Sequence, residues 1–255
     1  MLRAAVSRHH ILFGVAAVLW FMSWWIGSGA LAVTVALAVI VLLGFGVTFP
    51  QWKMFGPFVC RGSVQRKWVA LTFDDGPDPS STPALLETLC YAGVKAAFFC
   101  VGQKVTAHPE LAAQIVREGH LVENHSFGHS NGTNFFTTGR LCDELTRAQS
   151  AIEQATGERP RLFRPPMGLS NPRVFRAARA LDLKVIGWTA RGMDTKLREP
   201  AQIVAQLARR LRPGAILLLH DGNIPAERLV ATVRNLLDKL RADGYEIVRL
   251  DRILE

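Results

Sequence analysis

Two pairs of side chains in this sequence have the types and the spacing that could bind a metal ion. His125 and His129 lie four positions apart, so they would share one face of a helical turn and could converge on one ion. Asp74 and Asp75 offer a carboxylate as a third ligand, and two histidines with one carboxylate leave coordination positions open for water and substrate. Such a centre would suit hydrolysis. The alternative is a plain Asp-Asp-Gly-Pro turn and two unrelated histidines.

Three further segments carry candidate residues. Arg164 begins Arg-Pro-Pro-Met-Gly, which is either a rigid loop that aims a backbone N–H or a plain connection. His220 follows an all-leucine run, where burial could tune its pKa for use as a general acid, and a packed core histidine is the alternative. Trp188 ends another apolar run, and Asp194 lies six residues after it.

Short apolar runs alternate with helical patterns between residues 67 and 255 and would position these side chains. The runs predicted as strands are 68–73, 96–101, 121–123, 161–163, 184–188, 215–219 and 246–250. About seven helices lie between them, several beginning at Thr-Pro or Asn-Pro and several stopping at glycine. This alternation predicts a single parallel α/β domain, whose chemistry should collect at the carboxyl ends of the strands.

The combined motifs resemble those of the polysaccharide deacetylase family, the NodB-homology domain of carbohydrate esterase family 4. The resemblance rests on Thr-Phe-Asp-Asp-Gly-Pro, His-Ser-x-x-His, Arg-Pro-Pro-x-Gly and Leu-x-His, and it covers residues 67–255. It implies a distorted seven-stranded (β/α) barrel, in agreement with the seven apolar runs. It also implies hydrolysis of an N-acyl group, with acetyl as the first choice, from an amino sugar. The implied cofactor is a divalent metal: Zn²⁺, with Co²⁺ or Mn²⁺ as alternatives.

The resemblance implies a role for each matching residue. The implied metal ligands are Asp75, His125 and His129. The implied catalytic residues are the general base Asp74, the Arg164 that holds it, the general acid His220 and the Asp194 that orients that acid. The implied substrate contacts are Met167, whose backbone N–H would stabilise the oxyanion, Leu218, which would line the acyl pocket, and Trp188.

Two positions depart from the family pattern. Met167 stands where an aromatic residue is usual, which changes a side chain that would contact sugar but keeps the backbone donor. Thr195 replaces the tryptophan that commonly follows the position of Asp194, which removes a wall of the acyl pocket. Both changes concern the substrate rather than the reaction, and they make a formyl group an alternative to acetyl.

An apolar segment without charged side chains precedes this domain, over residues 11–51. As one helix it would measure about 60 Å, twice the roughly 30 Å of a bilayer's hydrocarbon core. Gly27-Ser28-Gly29 would break it into a transmembrane helical hairpin. The alternative is a signal peptide cleaved near Ala30. The predicted boundaries are 1–52 for the membrane segment, with helices at 11–26 and 30–49, 53–66 for a basic juxtamembrane linker and 67–255 for the deacetylase domain.

Basic residues flank both ends of the predicted hairpin. They are Arg3 and Arg8 before it, and Lys53, Arg61, Arg66 and Lys67 after it. The positive-inside rule then predicts that the catalytic domain lies at the cytoplasmic face of a bacterial inner membrane. The net charge of +9 suits the anionic headgroups of a lipid bilayer, and no nucleic-acid-binding motif is present, so nucleic acid is not an expected partner.

The side of the membrane would decide the substrate. A cytoplasmic domain could not reach polymeric cell wall, so its expected partner is an amino sugar linked to a polyprenyl phosphate. An exported domain would instead act on peptidoglycan or an exopolysaccharide. The non-enzymatic alternative is an inactive, membrane-tethered glycan-binding module. The presence of base, acid, all three metal ligands and Arg164 argues against it.

Overall fold

The computed structural model of the protein describes residues 8–255. The predicted flanking charge Arg3 and the first residues of the predicted segment 1–52 lie outside this range. Eight strands lie within the described residues: β1 (Trp68–Asp74), β2 (Ala97–Cys100), β3 (Leu121–Asn124), β4 (Leu162–Phe163), β5 (Lys184–Val185), β6 (Ala190–Arg191), β7 (Ala215–His220) and β8 (Glu246–Ile247).

A curled parallel sheet of these strands forms the centre of the fold. Seven strands follow one another in the order β5-β4-β3-β2-β1-β7-β6, and β8 pairs with the first two residues of β1. Within residues 8–255 no ladder joins the outer strands β5 and β6, so the barrel is incompletely closed. The predicted α/β class and distorted (β/α) barrel are therefore confirmed, because every predicted run contains a strand.

Helices connect the strands and cover the outside of the sheet. Those described are α1 (Arg8–Trp25), α2 (Gly29–Thr48), α3 (Thr82–Tyr91), α4 (Gly102–Ala107), α5 (Pro109–Arg117), α6 (Thr138–Thr156), α7 (Pro172–Ala180), α8 (Pro200–Ala208), α9 (Ala226–Ala242) and α10 (Leu250–Ile253). The predicted Asn-Pro start is found at α7, where Asn171 accepts hydrogen bonds from the backbone N–H groups of Arg173 and Val174. This cap satisfies two of the donors that a helix N-terminus leaves free.

Side-chain alternation along β1 separates the core from the site. Val69, Leu71 and Phe73 belong to the apolar cluster formed with helices outside the sheet, whereas Ala70 belongs to the separate cluster inside it. Because successive side chains of a strand point to opposite faces, Asp74 shares the inner face with Ala70. The sequence pattern therefore places the Asp74 carboxylate inside the barrel, at the carboxyl ends of the strands.

Two N-terminal helices precede the barrel and pack against each other. The chain breaks between them at Gly27, whose φ is +67°, and Ser28 caps α2 by accepting a hydrogen bond from Leu31 N–H. Helix α2 is long and apolar enough to cross a membrane, whereas the apolar part of α1 is shorter. Length and composition alone do not distinguish an anchor from a signal sequence, so the two-pass arrangement stays a prediction.

The segment that follows α2 is packed onto the barrel. Met54, Phe55 and Phe58 are buried, and Val59 forms a bridge with Ile186 beside β5. This packing fixes the end of α2 against the domain, since the connecting residues cannot move independently of the sheet.

Candidate active site

The two aspartates of the first motif lie at the carboxyl end of β1 and face different partners. Asp74 is the last residue of the strand and is 4% exposed. Asp75 follows with φ of +72°, a left-handed conformation that costs energy for any residue other than glycine. Both carboxylates approach His125 Nε2, Asp75 Oδ1 at 3.3 Å and Asp74 Oδ2 at 3.8 Å, but only Asp74 also binds Arg164.

A cluster of lone-pair atoms forms around Asp75. Its Oδ1 lies 3.3 Å from His125 Nε2 and 3.1 Å from His129 Nε2. His125 Nδ1 donates to the backbone carbonyl of Arg164 at 2.7 Å, so in this tautomer Nε2 carries a lone pair. The Asp75 Oδ1 atom is buried and has no hydrogen-bond partner among the described residues. Acceptor atoms that converge in this way fit a cation, and the three residues are the set expected for a divalent metal.

Arg164 is wholly buried and binds the other aspartate. Its Nη1 donates to Asp74 Oδ1 at 2.6 Å and to Thr72 Oγ1 at 2.8 Å, and its Nη2 donates to the Gly187 carbonyl at 3.0 Å. The guanidinium also stacks on Phe99, 4.0 Å from the ring centroid. A planar fork with these fixed partners holds the Asp74 carboxylate in one orientation.

His220 and Asp194 form a second buried pair. The imidazole Nδ1 donates to Asp194 Oδ1 at 2.9 Å, and the His220 backbone N–H donates to Asp194 Oδ2 at 2.7 Å. Burial alone would lower the pKa of His220, but the hydrogen bond and negative charge of Asp194, with smaller contributions from Asp74 and Asp75, raise it. The structure thus favours a protonated imidazole at the end of β7.

One cleft of about 160 Å³ at the carboxyl ends of the strands is lined by Asp74, Asp75, the two histidines of the cluster and His220. Of the predicted substrate contacts, Leu218 and Trp188 are buried in its wall, and Met167 is 43% exposed at its rim. Gly168, with φ of +68°, lies so close to the Trp188 ring that a Cβ atom would clash with it. Thr195 also lines the cleft, as expected for a residue that replaces a tryptophan of the acyl pocket.

Three neighbours of the site were given no role on the basis of sequence. Thr72 accepts a hydrogen bond from Arg164, and Lys104 Nζ donates to the Asp75 carbonyl at 2.7 Å. Arg191 lines the cleft. The alternation that brings Asp74 inside could have revealed Thr72, two positions earlier. Lys104 lies on α4 with no local pattern that would single it out.

The fold and the cleft together define a class of protein. It is a hydrolase built on a parallel (β/α) barrel, with its chemistry at the carboxyl ends of the strands. The sequence pattern described as polysaccharide deacetylase matches residues 61–186. The chain belongs to the polysaccharide deacetylase family, and it is accordingly a hydrolase of carbon–nitrogen bonds, as its motifs predict.

Known proteins similar to this chain support that assignment. The peptidoglycan-N-acetylglucosamine deacetylase of Bacillus cereus is 33% identical over 190 residues, which cover 74% of this chain and 88% of the relative. A chitooligosaccharide deacetylase of Bradyrhizobium is 36% identical, over 72% of this chain and 84% of its own. A solved CE4 family pseudoenzyme from Bacillus anthracis matches with TM-score 0.72 and 30% identity, over 78% and 69% of the two chains. A pseudoenzyme shares this fold, so activity depends on the side chains in the cleft rather than on the fold alone.

Proposed function

We propose that the protein is a metal-dependent deacetylase that removes an N-acyl group from an amino sugar. The observation that carries this proposal is the convergence of three features in one cleft: the Asp75 cluster, the Arg164–Asp74 pair and the His220–Asp194 pair. Together they provide separate groups for taking a proton from water and for giving one to an amine. Amide hydrolysis needs both transfers.

The proposed metal ligands are Asp75, His125 and His129. Their fit to a divalent ion is supported by ligand atoms that all lie within 4.8 Å of one another and by the unpartnered Oδ1 of Asp75. Zn²⁺ is the first choice for two imidazoles and a carboxylate, with Co²⁺ or Mn²⁺ as alternatives. Such an ion lowers the pKa of a bound water and polarises a carbonyl oxygen.

The other residues are proposed to handle protons and charge. Asp74, fixed by Arg164, takes the proton of the attacking water. The Met167 N–H donates to the carbonyl oxygen of the acyl group, on which the oxyanion develops. His220 gives its proton to the departing amine, because an amine anion is too poor a leaving group. Asp194 holds Nδ1 of that imidazole and so leaves Nε2 to face the cleft.

The acyl group is proposed to enter between Leu218 and Trp188, beside Thr195. These apolar walls and the small volume of the cleft, about 160 Å³, suit an acetyl group. A formyl group is the alternative, since it needs less apolar wall. The named relatives act on peptidoglycan N-acetylglucosamine or on chitooligosaccharides, and an N-acetylglucosamine unit is therefore the first substrate to test.

Release of acetate by the purified full-length protein tests this activity. Chitooligosaccharides, peptidoglycan fragments and a polyprenyl-phosphate-linked N-acetylglucosamine are the substrates, with formate release from N-formyl analogues assayed in parallel. Acetate or formate released by the wild type and not by Asp74→Asn supports the proposal. Protein that binds metal yet hydrolyses none of these substrates contradicts it and favours the inactive glycan-binding module.

We also propose that α2 anchors the protein in a bacterial inner membrane, with α1 as a second pass and the barrel on the cytoplasmic face. The length and composition of α2 support an anchor, and many large apolar side chains of α1 and α2 are exposed. A cytoplasmic barrel would favour the lipid-linked sugar. An exported one would favour peptidoglycan or an exopolysaccharide.

Reporter fusions after Glu255 test this arrangement in a bacterial host. Fluorescence of a green fluorescent protein fusion, without activity of an alkaline phosphatase fusion, supports the cytoplasmic face. Phosphatase activity without fluorescence contradicts it, and exported glycans then become the substrates to test first.

A further inference from the structure

Arg191 lies in the wall of the candidate active site, at the end of β6. Its register partner is Leu218 on β7, the residue proposed to line the acyl pocket. The same cleft is lined by His220 and by His129 of the candidate metal cluster. A half-buried guanidinium therefore borders the position where the sugar ring would lie once its acyl group is seated.

Each carboxylate at the cleft has a basic partner. Asp74 binds Arg164, Asp194 binds His220, and Asp75 faces the two histidines. Within residues 8–255 Arg191 forms no ion pair, and its buried Nε has no hydrogen-bond partner. Its guanidinium lies 5.9 Å from the centroid of the Trp188 ring, so the side chain is supported on one side. A guanidinium of this kind binds carboxylate or phosphate oxygens through two parallel hydrogen bonds.

The walls of the cleft are attached to the end of the candidate membrane helix. The Ser170 N–H, just after the loop that carries Met167, donates to the Val47 carbonyl in the last turn of α2 at 3.2 Å. On the other wall, Gln51 Nε2 donates to the Trp188 carbonyl at 3.0 Å. The cleft thus lies beside the residues at which the chain would leave a bilayer. A sugar presented there by a lipid carrier would have a phosphate next to it.

We propose that Arg191 determines specificity by binding a phosphate group esterified to the amino sugar, in preference to a neutral glycan. This inference rests on the proposed deacetylase function and names the class of substrate within it. The phosphate can belong to a lipid-linked sugar or to a soluble sugar phosphate. The two share the chemistry that Arg191 would recognise, and the experiment separates them.

The test compares the wild type with Arg191→Gln and Arg191→Lys in full-length, zinc-loaded protein. Four N-acetylated substrates are used: a neutral methyl glycoside of N-acetylglucosamine, N-acetylglucosamine 1-phosphate, N-acetylmuramic acid as a carboxylate-bearing sugar, and polyprenyl-phosphate-linked N-acetylglucosamine in vesicles. Arg209→Gln, at the exposed residue that follows α8, is the matched control.

We expect Arg191→Gln to raise KM for the phosphorylated substrates by roughly tenfold to a hundredfold more than it raises KM for the neutral glycoside. Arg191→Lys should recover part of the loss, because it restores the charge but not the two parallel hydrogen bonds. A greater loss for the vesicle substrate than for the soluble phosphate identifies the lipid carrier as the source. Equal losses on all four substrates, or a preference carried by the carboxylate sugar, would overturn the proposal.

Binding measurements separate this proposal from the deacetylase function. If the wild type hydrolyses no substrate, calorimetric titration with N-acetylglucosamine 1-phosphate still reports on Arg191. Binding by the wild type and by Arg209→Gln, with loss in Arg191→Gln, supports the phosphate site although the function has failed. Equal binding by all three proteins contradicts the site whatever the activity.

Discussion

Asp74 and His220 are register partners at the carboxyl ends of the adjacent parallel strands β1 and β7. The backbone continues this pairing, since Asp221 N–H donates to the Asp74 carbonyl at 3.1 Å. The proposed base and acid are therefore held at a spacing set by the sheet itself. Their flanking partners Arg164 and Asp194 come from other strand ends, so each group can be changed while the sheet remains intact.

Asp74→Asn should abolish turnover without removing the metal. The asparagine oxygen can still accept the hydrogen bond from Arg164 Nη1, which is 2.6 Å long in the wild type, but the amide cannot take a proton. We expect kcat to fall by roughly 10²–10⁴-fold, the usual contribution of a general base. Metal content per protein, measured by elemental analysis, should stay at the wild-type level.

Asp238→Asn is the matched control for this change, because Asp238 is exposed on α9 and does not line the cleft. It should leave both turnover and metal content unchanged. Wild-type turnover in Asp74→Asn would rule out Asp74 as the base, and a loss of metal in that variant would reassign it as a ligand.

Asp194→Asn should move the alkaline limb of the pH–rate profile to lower pH. As a general acid, His220 is active only while protonated, so activity falls as the pH rises through its pKa. Burial lowers that pKa, and the hydrogen bond and charge of Asp194, together with the smaller effects of Asp74 and Asp75, more than offset the decrease. Removing the charge takes away the larger part of this support, so the imidazole loses its proton at lower pH.

The measurement is kcat/KM for acetate release across the neutral and alkaline range, with the acidic limb as an internal reference. An alkaline limb that stays in place, with kcat merely reduced, would show that Asp194 does not act through the protonation of His220.

Removal of the metal should be reversible in the wild type and irreversible in a ligand variant. After chelation, we expect activity to disappear and to return on addition of Zn²⁺, and also of Co²⁺ or Mn²⁺ if the site accepts them. His125→Gln should not recover at the same metal concentration, because one imidazole of the cluster is missing. His108→Gln, at the start of α5, is the control and should recover fully. Activity that survives complete chelation would contradict metal dependence.

The catalytic motifs could be predicted from the sequence because each follows a strand whose pattern is strong. The fully buried run of β1 and the apolar run of β7 are recognisable, and in a parallel sheet their carboxyl ends must lie together. The residues that a motif positions locally could therefore be predicted from the sequence. Cleft contacts between distant residues could not, because no local pattern encodes a pairing 29 residues apart such as that of Lys104 with the Asp75 carbonyl.

The strand β6 shows where periodicity fails. It has only two residues, Ala190 and Arg191, and too few positions for alternation to be detected. The apolar pattern in this region predicted one strand at 184–188, of which only Lys184–Val185 is a strand. The sequence therefore predicted no role for Arg191, although it lies close to Asp194 in the chain. Its position in the cleft follows from the pairing of β6 with β7, which no local pattern reveals.

Glu123→Gln should stabilise the protein at alkaline pH and have little effect at acidic pH. Glu123 is the third residue of β3 and is 6% exposed. Its Oε2 accepts backbone hydrogen bonds from Arg161 at 2.9 Å and Leu162 at 2.8 Å. Burial raises the pKa of this carboxyl from its ordinary 4.5 to about 8, although the two backbone donors oppose the rise.

The sign of the effect follows from proton binding. Between these two pKa values the folded protein keeps the proton that the unfolded chain has lost, so the free energy of unfolding falls as the pH rises. Glutamine imitates the neutral form and keeps an oxygen for the two backbone donors. Melting temperatures should therefore agree at about pH 5, and near pH 9 the variant should melt on the order of 5 °C higher. The control Glu227→Gln, in the first turn of α9, should follow the wild type at both values. A variant that melts lower than the wild type throughout would mean that the ionised carboxylate, rather than its neutral form, stabilises the connection between β3 and β4.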